Sequence, residues 1–123
     1  VSDTKLTVAQ AGIYNLQWSA QFNNTSTQIH DVSVWIRQDG TGPGVDVPGS
    51  TGLISVPNSH GGLDGHTIVG WNYFVSLQAG DFVELWWSTN NAAVSIQHIP
   101  AQTGPVRPST ASVIATLTFV SAL

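Results

Sequence analysis

Apolar and polar residues alternate along this chain in runs that suit a β-strand and no other regular structure. Between 13 and 22, Tyr14, Leu16, Trp18, Ala20 and Phe22 fall on one side, and Asn15, Gln17, Ser19 and Gln21 on the other. A period of two held over that length is the signature of a half-buried strand. The run 31–37 repeats it through Val32, Val34 and Ile36, and 67–77 through Val69, Trp71, Tyr73 and Val75. A short strand is predicted over 53–56, bounded by Gly52 and Pro57, with three more over 82–88, 93–98 and 111–120. Turn clusters separate these runs at Asn23-Asn24, Asp39-Gly40, Ala79-Gly80-Asp81, Asn90-Asn91 and Gly104-Pro105. No segment keeps a 3.6-residue period over three turns. Many short strands at regular spacing predict an all-β sandwich or barrel. Its expected core holds Tyr14, Leu16, Trp18, Val34, Ile36, Val83, Leu85 and Leu117.

At 123 residues with 41% apolar content, the sequence provides one domain, 1–123, with enough material for a real core. Residues 40–65 hold eight of the twelve glycines together with Pro43, Pro48 and Pro57. We read this stretch as an irregular excursion around one short strand. It is not a linker, because strands on both sides are needed to close a single core.

Charge changes the picture mainly by exclusion. Charged residues make up 8% of the chain, whereas Ser, Thr, Asn and Gln fill 40 of its 123 positions. Net charge is −4, and the only cations are Lys5, Arg37 and Arg107. Nucleic-acid binding needs clustered cations to displace phosphate counterions, and a polybasic membrane contact needs them too. We therefore expect neither partner. No apolar run approaches the roughly 20 residues of a membrane-spanning helix. Cysteine is absent, which removes disulfides, zinc ribbons and thiol chemistry.

Four segments, in order, carry a resemblance. Ala11-Gly12-Ile13-Tyr14-Asn15-Leu16 resembles the "aGxY" strand opening of the C1q/TNF-like jelly roll. Leu77-Gln78-Ala79-Gly80-Asp81-Phe82-Val83-Glu84-Leu85 is similar to that family's "L-x-x-G-D-x-V-x-L" strand. Residues 108–120 resemble its terminal strand, and Val34-Trp35-Ile36-Arg37-Gln38-Asp39-Gly40 resembles a hairpin of virus-encoded members. The nearest likeness is to C1q-like domains in virion proteins of bacteriophages, marine ones especially. The resemblance implies an antiparallel jelly-roll β-sandwich and three-fold trimers formed through one sheet. Gly12 is expected at positive φ where the chain turns into its strand, and Gly80-Asp81 in a tight turn with the carboxylate accepting from backbone N–H groups. Family members also pair the terminal strand with an upstream one. Val1 to Gln10 is too short to provide it, so a first strand is expected from a separate piece of a longer virion protein.

Candidate chemistry is sparse. The single glutamate, Glu84, has no second carboxylate at a spacing that suggests a glycosidase pair. No Gly-x-Ser-x-Gly elbow occurs, and Gly40-Thr-Gly-Pro-Gly44 lacks the Lys-Ser/Thr of a phosphate loop. No catalytic residues and no cofactor are expected. His60, Asp64 and His66 lie within seven residues among glycines and could wrap a divalent ion, but solvated loop histidines are the favoured account. The aromatics say more. If Val83, Leu85 and Trp87 face inward, Phe82 and Trp86 face outward, and Trp35 opposes the inward Val34 and Ile36. Large apolar side chains on an outer sheet face mark a partner surface. Trp35, Phe82 and Trp86 are thus expected at an oligomer interface, which the resemblance makes that of a homotrimer. The function expected is a non-enzymatic viral structural domain of a tail fibre, spike or head decoration. It would contact other virion proteins or a host-surface glycan or protein. The alternative is a secreted C1q-like or lectin-like recognition module.

Overall fold

The computed structural model describes residues 4–39 and 44–123 and shows an all-β chain. Among the described residues nine strands follow in order: β1 (Leu6–Thr7), β2 (Gly12–Asn24), β3 (His30–Asp39), β4 (Val45–Asp46), β5 (Gly52–Val56), β6 (Gly65–Leu77), β7 (Phe82–Thr89), β8 (Val94–Ile96) and β9 (Val113–Ser121). All pairings are antiparallel. In one sheet β3 is central, with β7 and then β1 on one side and β4 and β5 sharing the other. In the other sheet β2 is central, with β6 on one side and β8 and β9 sharing the other. The chain crosses repeatedly between sheets, and the result is a jelly-roll β-sandwich.

The alternation in β2 sets the layer between the sheets. Tyr14, Leu16, Trp18, Ala20 and Phe22 are all buried. Across from them Val32, Val34 and Ile36 of β3 are at most 4% exposed. Two apolar clusters result. One gathers Tyr14, Leu16, Ile36, Val75, Leu77 and Val83, and the other Trp18, Phe22, Val32, Val34, Val56 and Val94. Leu85 and Leu117 pack against these clusters but stay only partly buried. Both border openings between β9 and the opposite sheet.

Several local expectations are corrected. Asn23-Asn24 is not a turn but the end of β2, opposite His66 and Gly65. Asn24 is fully buried. It organises the turn that follows, by donating to the Gln28 and Val56 carbonyls and accepting from the Ser26 N–H. Gly12 is not at positive φ. Glycine is needed there because a Cβ would lie 2.5 Å from the Phe119 ring and 2.8 Å from the Ser121 carbonyl oxygen. The strand expected over 93–98 contracts to β8, and the two-residue β1 and β4 were too short to show periodicity. Gly80 does take positive φ, and Asp81 Oδ2 accepts from the Gln78 N–H at 2.8 Å. The expected turn at Asp39-Gly40 reaches Gly40, which lies outside the described residues.

Candidate functional site

The sequence offered two candidate sites, the aromatic face and the histidine loop, and the structure separates them. The outer face of the β3 sheet brings Trp35 opposite Trp86 and Arg37 opposite Glu84. The two indoles tilt at 31° with centroids 6.4 Å apart. The Arg37 guanidinium lies 3.7 Å from the Trp86 ring centre, and its Nε donates to Asp46 Oδ1 at 2.8 Å. The Trp35 indole N–H donates to the same oxygen at 2.9 Å. These two bonds, Arg37's first, hold the Asp46 carboxyl below its ordinary pKa. Phe82 sits under the Lys5 ammonium, 4.1 Å from its ring centre, and is 4% exposed. Glu84 is nearly covered too and accepts from the Thr4 hydroxyl. Of the three aromatics anticipated at an interface, the chain buries Phe82 and half-buries Trp35. Only Trp86 stays open, at 38%.

On the loop before β6, His60 pairs its backbone with Leu63, and its Nδ1 lies 3.2 Å from the Asn58 carbonyl. His66 stands on β6 opposite Asn23. Among the described residues no three His, Asp, Glu or Cys side chains gather as metal ligands. His60, Asp64 and His66 are thus not brought together.

The β2 sheet carries the apolar surface that the sequence reading missed. Its register places Phe74, Asn15 and Thr118 in one outward row, Gly70, Ser19 and Ile114 in another, and Ile68 beside Gln21 in a third. Phe74 is 65% exposed, Ile68 71% and Ile114 57%. These are large apolar side chains on a face that also carries Asn15, Gln17, Ser19, Gln21, Asn72, Thr116 and Thr118. The signal was in the sequence. With Val69, Tyr73 and Val75 inward, Ile68 and Phe74 occupy positions that strict alternation reserves for polar residues. Trp71 belongs to the inward row instead, opposite Trp18, yet is 49% exposed at the β6 edge, where it tilts against Tyr73 with ring centres 5.1 Å apart.

The sandwich also stands open between β7 and β9. Inward residues Leu85 and Trp87 of β7 and Val113 and Ala115 of β9 line an apolar cleft of about 360 Å³, floored by Trp18 and Phe22. Neither surface holds an arrangement of acid, base and nucleophile. Both are suited to binding by apolar contact. No known protein family and no curated protein matches the sequence.

Proposed function

We propose that this domain is a non-enzymatic structural component of a virion, on a tail fibre, spike or head decoration. In this reading it assembles as a homotrimer through the outer face of the β6–β2–β9 sheet. The observation that carries the assembly is the exposure of Phe74, Ile68 and Ile114 on one face. Fully burying such side chains stabilises a contact by roughly 1.5–3 kcal/mol each, and closed rotational symmetry is how most homo-oligomers satisfy a patch of this kind. The three-fold and the virion setting rest on the resemblance to C1q/TNF-like domains of phages. A charge-poor surface rich in Ser, Thr, Asn and Gln fits a protein working in salty surroundings, where charge attraction is screened within about 8 Å or less. Loops between strands are left free for other virion proteins or for a host-surface glycan or protein.

Sedimentation tests the assembly. Three times 13.0 kDa gives a particle of about 39 kDa. Phe74→Glu combined with Ile68→Glu is expected to give a folded monomer, because both side chains are already solvent-exposed in the isolated chain. Trp86→Glu, on the opposite sheet, should leave the trimer intact. A wild-type chain that stays monomeric at micromolar concentration removes the trimer. Antibody against the domain that fails to decorate any particle in electron micrographs of its source virus removes the virion reading.

A further inference from the structure

On the outer face of the β6–β2–β9 sheet the strands present one side chain that changes charge between pH 5 and 8, and we propose that it makes assembly through this face reversible by acid. The residue is His66. On β6 the outward row runs His66, Ile68, Gly70, Asn72, Phe74 and Ser76, so the imidazole shares a side with Ile68 and Phe74. It is exposed, and the strand rise puts it about 7 Å from Ile68. The neighbouring strands add nothing that titrates. The outward row of β2 is Ile13, Asn15, Gln17, Ser19, Gln21 and Asn23, and β8 and β9 contain no acidic, basic or phenolic residue.

The groups around His66 leave its charge uncompensated. Across from it on β2 stands Asn23, and beyond Asn23 stands Ser95 of β8, both neutral. β5, which packs against β6 from the other sheet, contains no charged residue. In the loop before β6, Asp64 lies two residues back and makes no ion pair with it among the described residues, and His60 places its Nδ1 at the Asn58 carbonyl. In the free chain water solvates a charged imidazole. In the assembly, the surface that covers Ile68 also covers its neighbour, and an unpaired cation is costly to bury. Closed symmetry repeats that cost in every subunit. The free chain thus binds a proton that the assembly excludes. By linkage, association is full above the histidine range and is lost as pH falls through it. Each excluded proton weakens it by up to about a decade per pH unit, or about a thousandfold per unit for three subunits.

Charge at the scale of the whole chain predicts the opposite sign. Protonating all four histidines brings the formal net charge from −4 to zero, which removes repulsion between subunits and favours association in acid. That long-range effect is screened by salt, whereas His66 acts at the contact itself. The local charge therefore decides the direction. The other histidines stand elsewhere: His30 opens β3, His60 lies in the loop before β6, and His98 lies between β8 and β9 with its Nδ1 2.8 Å from the Thr110 carbonyl.

This inference rests on the trimer reading, and the test tells the two apart. Sedimentation of the 123-residue chain should show the formation constant falling at least about tenfold between about pH 8 and about pH 6. His66→Gln is neutral throughout and should keep the association, with the acid response gone or reversed. His66→Lys carries its charge permanently and should be monomeric at the upper pH. His66 is exposed in the isolated chain, so neither change touches the core. His60→Gln and His98→Gln should respond like wild type. Wild-type association that holds or tightens on acidification overturns the proposal, as does an acid response that His66→Gln retains. Dissociation that comes with unfolding, read in tryptophan emission, overturns it too. Loss of association by His66→Gln at the upper pH would mean that the imidazole holds the contact together, through a metal ion or a hydrogen bond, and counts against it equally. A wild-type chain that is monomeric at every pH removes the trimer itself, and the switch with it.

Discussion

Ser50 closes a gap that the strands leave open. β4 covers β3 at Arg37 and Gln38, and β5 covers it from His30 to Val34, so neither reaches Ile36. The Ile36 N–H is instead taken by Ser50 Oγ at 3.0 Å, and its carbonyl accepts from the Val47 N–H. Ser50 Oγ in turn donates to the Val47 carbonyl, and the Tyr73 hydroxyl donates to the Ser50 carbonyl. Burial pushes the Tyr73 phenol pKa upward, which keeps it a donor at any ordinary pH. Ser50→Ala leaves a buried N–H unpaired and should cost about 1–3 kcal/mol in urea unfolding. A change below the error of the measurement would show that water or a backbone shift replaces the hydroxyl. Asp46 gives a pH signature on the outer face. Its folded pKa lies below the ordinary 3.8, so its contribution is full above that value and is lost as pH falls through the folded pKa. Asp46→Asn should therefore flatten the melting temperature against pH only at the acid end, and modestly, because the pair is exposed. A flattening near neutrality would contradict that assignment. None of these partnerships was legible in the sequence. Ser50 stands between Gly49 and Thr51 with no periodicity to mark it, and its role comes from Ile36, fourteen residues away.

Elements were far more legible than contacts. A strand needs only its own alternation to be recognised, and β2, β3, β6 and β7 each carry enough residues to show it. Where a strand ends depends on what lies across from it. The Asn23-Asn24 pair looks like a turn by composition, yet β6 and β8 both continue beside it and keep it in the ladder. The same dependence governs Gly65, which opens β6. A Cβ there would lie 1.8 Å from the Pro57 carbonyl oxygen and 2.8 Å from that of Asn58. All three nearest atoms are backbone, which leaves no flexible side chain to move away. Gly65→Ala should accordingly cost on the order of 3 kcal/mol or more, as overpacking in a closed core does. A melting temperature within a degree or two of wild type would show that the segment before β6 shifts freely. The outward residues tell the converse story. Phe82 was legible as outward-facing but not as covered, because its cover, Lys5, lies in a segment with no pattern of its own. Ile68 and Phe74 were legible as breaks in alternation, although only the register with β2 and β9 shows them sharing a face with Ile114.

At the scale of the whole molecule, the scarcity of charge and the placement of exposed apolar side chains lead to one expectation about assembly. Seven acidic and three basic residues leave a net charge of −4, and the Arg37–Asp46 ion pair lies on the sheet opposite the apolar face. Contacts through Phe74, Ile68 and Ile114 would thus be nearly free of charge attraction. Salt screens exposed charges beyond a Debye length of about 10 Å at 0.1 M and about 3 Å at 1 M. For subunits that share the same net charge, screening removes a repulsion. Kosmotropic salts such as sulfate also strengthen apolar burial. Self-association should therefore tighten as sodium sulfate rises, and its binding heat should show a negative heat-capacity change, the mark of apolar surface leaving water. Sedimentation across a salt series and calorimetry at several temperatures would read both. Phe74→Glu should remove the heat-capacity change together with the association. An oligomer that dissociates as salt is added would instead be held by ion pairs, and the outer face of the β6–β2–β9 sheet would then not be its contact surface.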